Sequence, residues 1–272
     1  MTIHTAFELK PLHPDFLISE DGLFVAGAAG SKLIYALDSK FRRMAFAAGA
    51  EERMFPTVIA EETLNRSEYF KSFPESASRV IEPSRKGQYF LSPAVCYHCY
   101  ELLKNSVLSG ETLITCCGKC FRADSADDSH LWEFTMREIV FFGSAAFIRE
   151  QRDAWKQRIF DLSARLGLAA EVVAASDPFF GAETRGKRLL QQVKELKYEL
   201  RVQRPSEKDM PLASFNLHER FFTSKFDITI KSGDTLHSGC VAFGLERWCM
   251  AMIEKHGVEK ALRLVEKVDD LR

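Results

Sequence analysis

Apolar positions along this chain recur with two periods. Over 144–166, Phe147, Ile148, Trp155, Ile159, Leu162 and Leu166 repeat every three or four residues and lay down one stripe, which predicts an amphipathic helix. Gly167 follows as its C-cap residue. The same period runs through Phe41, Met44, Ala45 and Ala48, predicting a helix over 39–52, and Pro56 closes that region because proline cannot extend a helix. Further helices are expected over 62–73, 94–108, 182–200 and 244–255. Shorter runs rich in β-branched and aromatic residues predict strands over 113–121, 133–142, 172–174, 213–217, 226–230 and 235–243. The polar loop 123–129 should return 133–142 antiparallel to 113–121. Residues 1–30 read as short strands and turns, broken by Gly22, Gly27 and Gly30. Strands gather in the second half with helices to cover a face, so the expected class is α+β rather than alternating β-α-β.

Composition adds little to that picture. The 272 residues are 46% apolar and 28% charged, enough for one sizeable domain, 1–272, without repeats or low-complexity tracts. A formal net charge of −1 argues against general nucleic-acid binding, which needs clustered cations. No apolar run approaches a membrane span, and residues 1–15 carry no apolar leader, so a cytoplasmic protein is expected. In that compartment seven cysteines, five of them within 96–120, suggest a metal or inert thiols rather than disulfides.

Three groups of residues carry candidate chemistry. Cys120-Phe-Arg-Ala-Asp124 and Phe134-Thr-Met-Arg-Glu138 flank the polar loop, so two antiparallel strands would bring Arg122 and Phe134 together. A guanidinium that forks onto phosphate beside a ring that stacks on a purine suits ATP. Ser238-Gly-Cys-Val-Ala-Phe-Gly-Leu-Glu-Arg247 reads as strand, glycine turn and helix start, with Arg247 in the first turn to meet a terminal phosphate. Taken singly, Arg122 could be a solvated strand residue, Phe134 and Cys240 core, and Arg247 a local cap. Glu138 differs: it sits beside Ile139, Val140, Phe141 and Phe142, where an unpaired carboxylate is costly, so a metal or Arg partner is expected. Cys96-x-x-Cys99 and Cys117-x-x-Cys120 also have the spacing of a closed four-cysteine zinc ribbon.

At these residues the chain resembles the class II aminoacyl-tRNA synthetases. The similarity is greatest to the archaeal-type seryl-tRNA synthetase catalytic core and its truncated relatives, the amino acid:[carrier protein] ligases. Phe121 to Asp124 and Phe134 to Val140 resemble motif 2, with Asp124 where Glu is usual. Ser238 to Trp248 resembles motif 3, with Ala242 where Gly is common, and 39–56 resembles the dimer-forming motif 1. Pro93-Ala-Val-Cys-Tyr97, Ser176 to Gly181, Gln192 to Glu199 and Ala213-Ser-Phe-Asn-Leu-His218 resemble ligase segments. The likeness spans roughly 35–250.

The resemblance implies an antiparallel class II sheet flanked by helices, in a homodimer. It implies Zn2+ on Cys96, Glu138 and Cys240, a set with one position open for a substrate amino group. It implies ATP with Mg2+, held by Arg122, Asp124, Phe134 and Arg247, with Arg122 and Arg247 catalytic. Ser214 and Asn216 would line a pocket for glycine, alanine or serine. The product would be an aminoacyl-adenylate, passed to the phosphopantetheine thiol of a carrier protein. No tRNA partner is expected, since the chain has no room for a large N-terminal tRNA-binding domain. The segment 176–205, with Lys187, Arg188, Lys194, Lys197 and Arg201, would be a helical insertion that docks the carrier, or simply a solvated basic face. Another acceptor, or a synthetase paralogue that binds ATP or amino acid without turnover, stays open beside the ligase.

Overall fold

A computed structural model describes residues 9–13, 15–19, 21–81, 84, 86–123, 131–176, 195–204 and 209–268. The apolar run around Glu138 forms the strand Glu133–Gly143 inside a seven-stranded sheet. Across the sheet the order is Ala170–Ala174, Lys197–Val202, Met210–Glu219, His237–Gly244, Glu133–Gly143, Thr112–Phe121 and Glu51–Arg53. Every neighbouring pair is antiparallel except the last, which is parallel.

Alternation along these strands sends side chains to two different cores. On one face Ile139, Phe141, Leu200, Phe215, Val241 and Phe243 are buried under the helices Ala28–Ala47, Ala145–Arg165 and Leu245–His256. Phe41 stacks on Phe243 with centroids 4.1 Å apart and meets Trp248 edge-on. Burying a ring of that size stabilises by about 1.5–3 kcal/mol. Ser144 starts the Ala145–Arg165 helix, its Oγ accepting from the Phe147 N–H at 3.2 Å. On the opposite face Ile114, Cys116, Met136, Val140, Phe142, Cys240 and Ala242 pack under the short helix Cys96–Leu102. That face carries the candidate site.

Several expected elements differ. The helix expected over 39–52 is Ala28–Ala47, and Glu51–Arg53 joins the sheet. Gly30 lies inside its first turn because the chain packs there: an added Cβ would come 2.6 Å from the Phe16 ring. The 94–108 helix is only Cys96–Leu102; Asn105 turns left-handed at φ 60° and Val107–Leu108 pairs with Thr229–Ile230. The 62–73 helix splits at Glu68, φ 54°. Where 226–230 was expected as strand, Phe221–Lys225 is a helix and only Thr229–Ile230 is extended. The 182–200 helix is overturned at its end, since Lys197–Val202 is a strand. There Lys197, Glu199 and Arg201 alternate with Tyr198, Leu200 and Val202, a period of two. Residues 177–194, with the expected docking cations Lys187, Arg188 and Lys194, and residue 205 lie outside the described residues. The unexpected helix Val258–Lys267 packs Ala261 and Val265 into the first core, and the Lys40 Nζ donates to the Val268 carbonyl at 2.6 Å. Among the described residues no helix is long and apolar enough to cross a membrane.

Candidate active site

Register decides which side chains share the second face. Glu138 stands opposite Cys116 and Ala242, Ala242 opposite Ser214, and Ser214 opposite Glu199. One row over, Val140, Cys240, Asn216 and Lys197 follow one another in the same way. Directly opposed residues of an antiparallel pair point to the same side. Glu138, Cys240, Ser214 and Asn216 therefore form one surface, and Cys96 reaches it from the helix above.

The three expected metal ligands meet there. The Cys96 main-chain N–H donates to Glu138 Oε1 at 3.0 Å, and the Cys96 thiol hydrogen-bonds with both Cys240 and Glu138. All three are buried, Glu138 to 1% exposure. Burial pushes the Glu138 carboxyl up to about 7, and the Cys240 charge adds to that. A hydrogen bond from Cys96 holds the Cys240 thiol well below its ordinary value, with His218 and Asn216 contributing. The Cys96 thiol is correspondingly raised, by the Cys240 hydrogen bond and then by burial. Among the described residues, no three or more His, Cys, Asp or Glu side chains form a ready metal cluster. The donor chemistry nonetheless fits zinc: two sulfurs and one carboxylate lie side by side, in a spot where Glu138 has no Lys or Arg ion pair among the described residues.

Ser214 and Asn216 flank this cluster. Asn216 Nδ2 donates to Ser214 Oγ at 3.1 Å and to Cys240 Sγ at 3.4 Å. On the other face of the same strand as Cys240, Gly239 lets the neighbouring strand and the first core pack close, because a Cβ there would meet the Asn216 carbonyl at 2.6 Å and the Phe141 ring closer still.

The two expected phosphate-binding arginines sit at the end of the same face. Arg122 Nε donates to the Pro93 carbonyl at 2.9 Å, and its guanidinium lies 5.4 Å from the Phe134 ring centroid. The strands thus bring Arg122 and Phe134 together as expected. Gly244 stands opposite Met136, and a Cβ on it would touch Arg247 Cδ at 3.6 Å, so Arg247 folds back over the site face. Its Nη1 donates to the Pro211 carbonyl at 3.3 Å. The start of its helix is pinned by Glu246, which accepts from Thr135 N and Oγ1, each at 2.7 Å. Asp124 lies outside the described residues.

A closed four-cysteine ribbon does not form. Cys117 and Cys120 are three apart on one strand and so point to opposite faces. Cys117 lies beside Asp38 and Arg137, while Cys99 faces Cys116 with sulfurs 3.9 Å apart. Three site-face groups escaped the sequence reading. His218 Nε2 lies 3.7 Å from Cys240 Sγ; Tyr100 hydroxyl lies 2.7 Å from His218 Nδ1; and Lys197 pairs with Glu199 at 3.0 Å, both buried. The signals were present as Ser214-x-Asn216-x-His218, period two, and as Cys96 and Tyr100, one helical turn apart.

No protein-family model matches the chain. Among curated proteins it is similar to amino acid–[acyl-carrier-protein] ligase 1 of Bradyrhizobium diazoefficiens, at 32% identity over 240 residues, covering 78% of this chain and 73% of that protein. It is 26% identical to the type-2 serine–tRNA ligase of Methanopyrus kandleri, over 78% of this chain and 49% of that one. Among solved structures, M. kandleri SerRS in complex with A. aeolicus tRNASec superposes with a TM-score of 0.78 at 23% identity, over 90% of this chain and 57% of that one. The chain thus spans about half the length of these tRNA ligases, and the superposition shows a shared class II fold. With nearly three quarters of the ligase matched at 32% identity, the chain belongs to the amino acid–[acyl-carrier-protein] ligase family.

Proposed function

We propose that this chain activates a small amino acid with ATP and transfers it to the phosphopantetheine thiol of a carrier protein. The observation that carries this reading is the convergence of Cys96, Glu138 and Cys240 beside Ser214 and Asn216, on the face that also holds Arg122, Phe134 and Arg247. Zn2+ held by Cys96, Glu138 and Cys240 supplies a Lewis-acidic point for the substrate's amino group. Phe134 stacks on adenine. Arg122, fixed through Nε on the Pro93 carbonyl, bridges the amino acid carboxylate and the α-phosphate, and Arg247 holds the γ-phosphate. Asp124 completes the ATP contacts, and Mg2+ enters as the counter-ion that ATP carries.

In the first step a carboxylate oxygen bonds to the α-phosphorus and pyrophosphate leaves. In the second the carrier sulfur bonds to the aminoacyl carbonyl carbon, the bond from that carbon to the AMP phosphate oxygen breaks, and the thiol proton leaves with the departing AMP phosphate. Adenylation asks for no dedicated side-chain base; positioning and charge stabilisation lower the barrier. The Ser214 and Asn216 wall is close to the metal donors, so glycine, alanine and serine are the favoured substrates. The part of the 176–205 segment ahead of the Lys197–Val202 strand is assigned to carrier docking, and the active unit is a homodimer formed through the motif 1 region.

Amino-acid-dependent pyrophosphate exchange with each of the twenty amino acids, in zinc-loaded protein, tests the first step. Exchange with glycine, alanine or serine is expected. Folded, zinc-bearing protein that exchanges with none of the twenty would sink the reading.

A further inference from the structure

Behind the metal donors runs a partly buried polar chain that the proposed reaction does not use. Ser238 and Tyr100 are fully buried, and the Tyr100 hydroxyl lies 3.2 Å from Ser238 Oγ and 2.7 Å from His218 Nδ1. The other imidazole nitrogen, Nε2, lies 3.7 Å from Cys240 Sγ. Phe222 clamps the ring of His218 edge-on at 5.0 Å and stacks on Tyr100 at 4.5 Å, so the imidazole cannot turn freely. Asn216 Nδ2 approaches the same sulfur at 3.4 Å.

The geometry points to His218 as a positioning residue that aims and holds the Cys240 sulfur for the metal, with Tyr100 fixing the imidazole from behind. This rests on the zinc reading above. With the phenol's one hydrogen given to Nδ1, at 2.7 Å, rather than to Ser238 Oγ, at 3.2 Å, the imidazole keeps its own hydrogen on Nε2, which then points at sulfur. The ring nitrogen bound to an outer partner sets which nitrogen faces inward, and such supports govern metal affinity. His218 does not itself serve as a ligand. Its Nε2 is engaged by a sulfur that is one, and a fourth protein donor would close the position the substrate amine needs. Tyr100, four residues beyond Cys96 on one helix, links the two sulfur-bearing elements through this chain.

Zinc affinity, read by competition with a chromophoric chelator, tests this together with the thiolate-to-metal absorption of the cobalt-substituted protein. His218→Phe should weaken zinc binding about 10- to 100-fold and shift the cobalt charge-transfer band, while the metal-free protein melts as before. His218→Gln, which keeps an N–H, should recover most of the affinity, and Tyr100→Phe should fall between. Unchanged affinity and an unchanged cobalt spectrum in His218→Phe would overturn the inference, and so would a cobalt spectrum showing loss of a nitrogen ligand. If His218→Phe does not fold, Tyr100→Phe decides, and wild-type affinity there overturns it equally. Wild-type protein that takes up no zinc would overturn the metal reading and this inference together; zinc-bearing wild type with indifferent variants would overturn this inference alone.

Discussion

Arg122 is oriented by a contact that consumes one edge of its guanidinium, Nε on the Pro93 carbonyl, while Phe134 covers its face. A cation fixed in this way costs no reorganisation when charge develops on a phosphate, which is where preorganised donors lower barriers most. Arg122→Ala is therefore expected to lower the exchange kcat by about 100- to 1,000-fold, with a much smaller change in the KM for the amino acid. A raised KM with kcat unchanged would mean that Arg122 only binds substrate. His98 shows the reverse situation, a titratable ring with no use for its charge. It is buried, stacks on Phe55 at 5.5 Å, and its Nε2 has no hydrogen-bond partner among the described residues. Burial pushes its pKa from 6.5 down to about 4, against a smaller upward pull from Glu101. The unfolded chain takes up this proton near 6.5 and the folded chain only near 4, so stability is lost as pH falls through that window, by up to about 3 kcal/mol. Urea melts of wild type and His98→Leu at several pH values check it: the wild type should lose more stability than the variant between neutrality and pH 4. Parallel losses would show that the destabilising proton binds elsewhere.

Between elements, what matters is which face a strand residue takes. The two long strands around the polar loop were legible because 113–121 alternates and 133–142 is rich in β-branched and aromatic residues, and their register then brought Arg122 to Phe134 and Glu138 to Cys240 through ordinary alternation. Alternation also defeats the ribbon spacing, since Cys117 and Cys120 cannot share a face on a strand. The reading failed where two periods overlap. Lys197 to Arg201 carries charges that look like a helix surface, yet its apolar partners come every second residue, and only pairing with Met210–Glu219 settles the matter. That is why the buried Lys197–Glu199 pair, opposite Asn216 and Ser214, was invisible beforehand. Close strand–strand and strand–helix approach is likewise set by packing rather than by local pattern. Gly239 is the clearest case, with Asn216, Phe141 and Ile148 all inside the space a methyl would need. Gly239→Ala should destabilise by about 1–3 kcal/mol and, because Asn216 and Cys240 move with it, weaken zinc retention as well. A thermal melt with parallel zinc analysis checks both; a variant with wild-type melting and zinc content would mean that the sheet relaxes around the methyl without cost.

At the scale of the whole molecule, the remaining question is what covers the outer side of the Ala28–Ala47 helix. Tyr35 and Phe46 are eleven residues apart, three turns, and so lie on one side of it. Tyr35 is 72% exposed, Phe46 is also exposed, and Met54, just past the Glu51–Arg53 strand, is 93% exposed. Arg42 bridges these elements, its guanidinium 4.7 Å from the Phe46 ring centroid and in two-point contact with Glu52. Glu51–Arg53 is also the terminal strand of the seven-stranded order. An apolar patch beside an open sheet edge favours association, and here it coincides with the region resembling motif 1. The chain should therefore sediment at twice its own mass. Met54→Glu makes a discriminating probe: a side chain so exposed contributes little to the fold of one subunit, so the substitution should leave thermal stability of the monomer intact. If Met54 is buried between subunits, the lost apolar contact of about 1.5–3 kcal/mol weakens the dimer roughly 10- to 100-fold. Sedimentation of wild type and variant over a concentration series reads this directly. A wild-type chain that stays monomeric at the highest concentration would sink the dimer, while a dimer indifferent to Met54→Glu would move its interface away from this patch.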